Sequence, residues 1–380
     1  MKNNLLVTGM FRSGTTLLSK MINANPNIAC FSDCYLPIFK LYRNHFLKSS
    51  SDLILNSPFD DYYFSQSKNK IFKNIQKSTF KKKVKKNDKI RLKNNIKIYS
   101  NDYSPEIHAK LHLIQGKNFN ELFKNAYDIL ISLNKKKIVG FKDVWVGEFS
   151  KHIIELNNSS KVINIIRDPR SVISSNFASG NKYPIIFLIR QWRKLVSLAI
   201  LHSKKYPKNF LNIFYEDLII NPELNSKKIC SFLKVNYSKK MIDNNYYYGL
   251  SKKKWIQNTS LKKNHSKSFF NKKSIDYWSK ILTNKEVRII EYFCQLEMSI
   301  LSYDFNTDIT KKINFTYKDN KNELSKWIKK YSNLNNKNEI IKENNRINTF
   351  KNRNKIKINE INKLFLNQQI YKILKSNNNL

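Results

Sequence analysis

The sequence predicts an α/β protein with three layers, a mostly parallel central sheet flanked by helices. Three observations carry this expectation. Short apolar runs recur and alternate with longer segments of helical apolar spacing. The run Val162-Ile163-Asn164-Ile165-Ile166 is almost wholly apolar, as a strand buried on both faces has to be. The first apolar run passes straight into a glycine-bounded turn and then a helix, which is how a strand–crossover–strand unit begins.

In chain order, Leu5-Leu6-Val7 is the first strand, and the first helix runs on to Asn25-Pro26. Ile28-Ala29-Cys30-Phe31 reads as a second strand, expected beside the first through a helical crossover. Ser32-Asp33 follow, and residues 35–46 have helical spacing. Residues 49–118 lack a sustained apolar period, and the stretch from Phe80 to Lys86 is mostly lysine. They read as a basic insertion over the active-site face, or as a solvated loop, because long surface insertions cost little free energy. Within them, 60–64 and 96–99 are the candidates for local structure.

Regular text resumes with a helix over 120–133, a strand over 138–141 that ends in Lys142-Asp143, a helix over 147–156 and the strand 162–166. Asp168-Pro169 suits a helix start, with an aspartate cap and a proline in the first turn. Helices are expected over 169–177 and 184–202, a strand over 210–215, and a helix from Asn221-Pro222 to Leu233. Residues 284–301 are amphipathic, with Val287, Ile290, Phe293, Cys294 and Leu301 on one side. From about Lys311 the text is rich in Lys and Asn, with candidate helices at 323–331 and 360–374 between gaps that read as disordered. The expected organisation is a domain over 1–305, with the basic insertion at about 49–118, and a basic C-terminal extension over 306–380, partly helical or disordered.

Lys and Arg number 70 against 28 Asp and Glu, a net charge of +42. Such a balance suits a polyanionic partner: nucleic acid, an anionic membrane or an acidic polysaccharide. Codon bias in an A/T-rich genome gives the same excess of Lys, Asn and Ile, so charge alone names no partner. The four cysteines, Cys30, Cys34, Cys230 and Cys294, form neither a metal spacing nor a disulfide framework, so a reduced interior is expected. No apolar run reaches about 18 residues and no signal-peptide pattern is present, so no membrane span and a cytoplasmic location are expected.

The chemistry concentrates in Gly9-Met10-Phe11-Arg12-Ser13-Gly14-Thr15-Thr16. A glycine loop feeding a helix leaves backbone N–H groups unpaired at the positive end of the helix dipole, which favours an anion. Gly9 and Gly14 let the backbone approach it, Thr15 and Thr16 add hydroxyls, and Arg12 adds a planar cationic fork. The stretch nearly matches the nucleotide-phosphate loop G-x-x-x-x-G-K-[ST], but Thr15 stands where that loop has its lysine. On its own it also fits a plain structural turn. A second segment runs from Arg167 through Asp168-Pro169-Arg170 to Ser175, eight residues on, again where a strand meets a helix. Guanidinium plus hydroxyl suits a dianionic phosphate; the alternative is a helix-end ion pair of Arg167 with Asp168. A third is Tyr215-Glu216-Asp217-Leu218-Ile219-Ile220-Asn221-Pro222-Glu223.

Together these resemble the sulfotransferases that use 3′-phosphoadenosine 5′-phosphosulfate (PAPS), of a bacterial type related to carbohydrate and tyrosylprotein sulfotransferases, over roughly residues 3–305. The resemblance implies the P-loop-like sulfotransferase fold. It also implies that Arg12, Ser13, Gly14, Thr15 and Thr16 hold the 5′-phosphosulfate, that Arg167 and Ser175 hold the 3′-phosphate, and that Tyr215 reaches the nucleotide. Ser274-Ile275-Asp276-Tyr277-Trp278 resembles the segment that closes over the adenosine, with a serine replacing the usual glycine.

The implied reaction is sulfuryl transfer from PAPS to an acceptor hydroxyl on a saccharide, lipid or peptide tyrosine, leaving PAP. Catalysis would then rest on positioning and on charge stabilisation at the departing phosphate. Lys142 resembles the family's active-site lysine, and with Arg12 it supplies that charge, so no metal is expected. Asp33 stands where many relatives carry a glutamate base; the same residue type also suits a cap for the helix near Tyr35. His45 and His108 are weaker candidates for the base. Two other readings of the chain are an Mg²⁺-dependent P-loop nucleotide kinase and a non-enzymatic basic protein that binds nucleic acid or another polyanion.

Overall fold

The computed structural model describes residues 3–46, 66–178, 182–248, 269–320, 324, 336–352 and 356–377. Strands β1 (Asn3–Gly9), β2 (Ile28–Ser32), β3 (Ile138–Lys142), β4 (Lys161–Ile166) and β5 (Phe210–Phe214) are all parallel, in the order β2-β3-β1-β4-β5. The helices are α1 (Thr15–Asn23), α2 (Leu36–Asn44), α3 (Gln66–Lys77), α4 (Lys86–Ser100), α5 (Phe119–Leu133), α6 (Ser150–Leu156), α7 (Pro169–Phe177) and α8 (Ile185–Lys205). They continue with α9 (Tyr215–Ile220), α10 (Pro222–Leu233), α11 (Lys273–Asp276), α12 (Asn284–Ile300), α13 (Asn336–Lys351), α14 (Ile358–Leu364) and α15 (Gln368–Ser376).

Strand periodicity sorts the core into two layers. Leu5 and Val7 of β1 point into one apolar cluster with α1 and α10, while Leu6 between them joins the larger cluster with α2, α5, α8 and α12. The sheet is therefore covered on both faces, as parallel sheets require.

One expectation about the sheet is corrected. The sequence places β2 beside β1, but β3 lies between them. The α1 crossover steps over one strand position, and β3, with all five residues buried, fills the gap. Consecutive strands are adjacent in only about two-thirds of cases, and nothing local in β2 reveals the skip. The outer edge of β2 is sealed by side chains instead. Ser104 Oγ accepts from the Ser32 N–H and donates to its carbonyl, and Asn23 accepts from the Cys30 N–H. The chain leaves β1 toward β2 and crosses from β3 to β4, so the connections part around β1. The crevice at the carboxyl ends of β1 and β4 is where open α/β sheets take ligands.

The described part of the basic insertion is helical, not a solvated loop. Leu92, Ile96 and Ser100 repeat every four residues along α4 and are its buried positions, and α4 packs on α2. So narrow a stripe among exposed Lys and Asn gives little periodic signal. Segment 60–64 lies outside the described residues.

In the C-terminal part, Ile347, Phe350, Phe365, Leu366, Ile370 and Leu374 join the larger core cluster. Buried ion pairs tie α13 to the domain: Glu343 accepts from Arg193 of α8 at 2.6 Å and from Arg346 at 2.7 Å, and Arg346 reaches Glu297 of α12 at 2.9 Å. The helix expected over 360–374 is two, α14 and α15, with Asn367 capping the second. Segment 323–331 lies outside the described residues except Leu324.

Candidate active site

The loop between β1 and α1 is shaped by close packing. A Cβ on Gly9 would stand 2.6 Å from the Ile165 carbonyl oxygen, so this glycine makes room for β4 rather than for a ligand. Gly14 is the N-cap of α1 at φ +92°, and a Cβ there would meet the Tyr215 ring at 2.4 Å. No side chain caps α1, so its first-turn amides, starting at Thr15 and Thr16, have no partner from a capping residue. Arg12 lies in the left-handed region at φ +68°, with its guanidinium 4.9 Å from the Phe11 ring centre. Burial lowers its pKa, Tyr183 and Tyr103 raise it, and the Arg167 charge lowers it further. Arg12 Nε and Ser13 Oγ are buried without a hydrogen-bond partner among the described residues.

Arg167, at the end of β4, comes to the same loop. Its Nη1 donates to the Arg12 carbonyl at 3.0 Å and its Nη2 to the Ser274 carbonyl at 2.7 Å. Its guanidinium lies over the Tyr215 ring, 4.1 Å from the centre, and its Nε is a further buried donor without a partner among the described residues. The Tyr215 hydroxyl meets Ser274 Oγ at 2.8 Å. Asp168 does not hold Arg167: it caps α7 and pairs with Arg170, which also reaches Glu291. Arg12, Ser13, Gly14, Arg167 and Tyr215 are thus brought together. Ser175 is half-buried on the second turn of α7. Ser171, one turn earlier, is the serine seen to reach the closing segment, donating to the Ile275 carbonyl at 2.7 Å. Trp278 is core, with the Arg170 guanidinium 4.3 Å from its ring centre.

A second cluster forms at the ends of β2 and β3. Asp33, at φ +49°, accepts from Lys142 Nζ at 2.5 Å through Oδ2 and from the Tyr99 hydroxyl at 3.2 Å through Oδ1. It does not cap α2: the Tyr35 N–H at that helix start goes to Asp143 Oδ2 at 2.8 Å. Burial alone would lower the pKa of Lys142, but the charge and hydrogen bond of Asp33 outweigh it and the net shift is upward. Asp143 is wholly buried, with its Oδ1 also 3.2 Å from the Tyr99 hydroxyl. Burial, and then the charge of Asp33, pushes its pKa well above the usual carboxylate range. The Tyr103 ring lies 5.9 Å from Lys142 Nζ.

Arg12, Asp33 and Trp145 each follow one of β1, β2 and β3, and each has positive φ, at 68°, 49° and 70°. Non-glycine residues rarely adopt this conformation, and such strain gathers at functional sites. The two histidines lie elsewhere: His108 bonds Ser100 Oγ, and His45 packs edge-on to Phe119. Sequence reasoning missed Tyr99, Tyr103 and Asp143. Asp143 had a usable signal, since it follows a strand as Asp33 does; Tyr99 sits in a helix that the sequence hides, and Tyr103 in the turn just after it.

No curated protein matches the chain. Solved structures similar to it include the sulfotransferase domain from the curacin biosynthetic pathway, at 16% identity and TM-score 0.47, covering 80% of this chain and 99% of that one. The sulfotransferase domain of the Synechococcus PCC 7002 olefin synthase is similar at 17% identity and TM-score 0.46, over 80% of this chain and 97% of that one. Mouse sulfotransferase SULT7A1 complexed with PAP is similar at 14% identity and TM-score 0.41, over 78% and 85%. A sequence model described as the sulfotransferase family matches residues 4–239, which is more than half of the chain and reaches from β1 past β5. The chain belongs to the sulfotransferase family.

Proposed function

We propose that the protein transfers a sulfuryl group from PAPS to an acceptor hydroxyl, leaving PAP. The observation that carries this reading is the meeting of Arg167 with the glycine loop: its guanidinium bonds the Arg12 carbonyl and covers the Tyr215 ring that closes on Gly14. Two cationic sites thus share one crevice, as a nucleotide phosphorylated at both ends needs. Three buried donors there, Arg12 Nε, Ser13 Oγ and Arg167 Nε, have no partner among the described residues, and anionic oxygens would satisfy them.

In this reading Arg12, Ser13, Gly14, Thr15 and Thr16 hold the 5′-phosphate. Arg167, with Ser175, holds the 3′-phosphate after releasing the Ser274 carbonyl, and Tyr215 packs against the nucleotide. When bound, PAPS supplies a sulfuryl group attached to a phosphate leaving group. Asp33 takes the acceptor proton. Once neutral it holds Lys142 less tightly, and the ammonium is then available to the developing phosphate charge. Arg12 and Lys142 supply the positive charge at the departing phosphate, so activity is expected to persist in the presence of a chelator. Residues 1–305 form the transferase domain, with the 49–118 insertion on the acceptor side and the 306–380 extension bracing α8. The acceptor hydroxyl belongs to a saccharide, lipid or peptide tyrosine, and an acidic polysaccharide suits the charge of +42.

The test is incubation with ³⁵S-labelled PAPS and cell extract. Wild type should transfer label to an extract component; Arg12→Ala and Asp33→Ala should not. Transfer retained in both variants contradicts these roles.

A further inference from the structure

Tyr99 stands between two carboxylates and has one hydrogen to give. Its hydroxyl oxygen lies 3.2 Å from Asp33 Oδ1 and 3.2 Å from Asp143 Oδ1. A phenol donates once, so one of these contacts would join two acceptors unless a carboxyl carries a proton. The surroundings say which. Asp33 has a cation on its other oxygen, Lys142 Nζ at 2.5 Å. Asp143 has none in contact among the described residues; its other oxygen takes the neutral Tyr35 N–H. The Lys142 charge, spent on Asp33, also acts on Asp143 and favours its ionised form, but burial and the Asp33 charge outweigh it; the other groups near it include Cys30, Cys34, Tyr35 and Tyr127, all buried and neutral when protonated. A wholly buried carboxylate without a paired cation is costly, whereas a buried carboxylic acid that donates a hydrogen bond is not.

We propose that Asp143 is a neutral acid heading a hydrogen-bond chain in which Asp143 donates to Tyr99 and Tyr99 donates to Asp33, making Tyr99 and Asp143 positioning residues for the base. The functional part rests on the reading of Asp33 as base. Were Asp143 ionised, two like-charged carboxylates would face the single Tyr99 hydrogen and repel each other across it. A neutral Asp143 removes that repulsion, and Tyr99 then holds Asp33 Oδ1 while Lys142 holds Oδ2. During transfer, the acceptor oxygen bonds to sulfur and its proton goes to Asp33. The sulfur–oxygen bond to the phosphate breaks, with its electron pair leaving on the phosphate. The Asp143 proton stays in place throughout. The insertion thereby serves the transfer centre directly, because Tyr99 belongs to α4.

Asn at 143 can keep both bonds, its amide N–H₂ donating to Tyr99 and its carbonyl accepting from Tyr35. Infrared difference spectra of wild type against Asp143→Asn at pH 7 should show the loss of one neutral carboxylic-acid C=O band. Absence of that band, or failure of Asp143→Asn to fold, overturns the proton assignment; neither readout needs PAPS or an acceptor. In the ³⁵S transfer assay, Tyr99→Phe should lower kcat by about ten- to hundred-fold, the worth of one hydrogen bond to a charged group. The acid limb of its pH profile should move to higher pH while PAP affinity holds. Asp143→Asn should retain at least ten-fold more transfer than Asp143→Leu. An unmoved acid limb in Tyr99→Phe, or equal losses in the two Asp143 variants, overturns the positioning role. If wild type transfers no label yet the band is lost, the proton assignment stands and the proposed function fails.

Discussion

The two sides of the crevice are built on opposite principles. On the glycine-loop side, Arg12, Ser13 and Arg167 each keep a buried polar atom that no described residue satisfies. On the carboxylate side, Asp33, Lys142, Tyr99 and Asp143 answer one another within the chain. An unpaired buried donor costs stability and is retained where a ligand answers it. A closed set of charges contributes to the fold and holds protons in place. Substitutions on the first side should therefore register in nucleotide binding, and those on the second in stability, turnover and pH response.

The largest expected effect lies on the closed side. Lys142→Ala leaves the Asp33 carboxylate buried without its cation, a loss on the order of 3–5 kcal/mol that a urea midpoint would show. A midpoint unchanged from wild type would mean that the pair is not a closed unit. Next comes the open side. Arg12→Ala should weaken PAP binding by about ten- to hundred-fold in calorimetry, with little change in melting temperature. Loss of stability comparable to that of Lys142→Ala would erase the contrast. The smallest effect is in pH dependence. Burial raises the Asp143 pKa, so the folded chain holds a proton that the unfolded chain releases above about pH 3.9. Stability from this group is highest below that pH and falls as pH rises through the folded pKa. Asn does not titrate, so Asp143→Asn should gain stability relative to wild type between about pH 4 and 7. A relative loss over that range would mean that Asp143 is ionised in the fold.

The glycine-loop side was readable because each part is local. Gly14, Arg12, Arg167 and Tyr215 lie in turns where a strand meets a helix, and their spacing along the chain carries the geometry. The carboxylate side was half readable. Asp33 and Lys142 stand at strand ends, but whether Asp33 caps a helix or meets a lysine depends on strand order, and β3 had to be placed between β1 and β2 first. Tyr99 was beyond reach because α4 buries a stripe only one residue wide among lysines and asparagines. The C-terminal helices were obscured for a related reason. What holds α13 is charge buried between Glu343, Arg193 and Arg346, and polar residues in a polar tail read as solvent-facing until their partners are known.

If two anion sites face one crevice, calorimetric titration with PAP and with 5′-AMP should tell them apart. Wild type should bind PAP about ten- to hundred-fold more tightly than 5′-AMP, the worth of one charge-assisted contact. Arg167→Ala should abolish that preference while leaving 5′-AMP affinity intact. Equal affinity of wild type for the two nucleotides, or a preference for PAP that survives Arg167→Ala, would contradict the account.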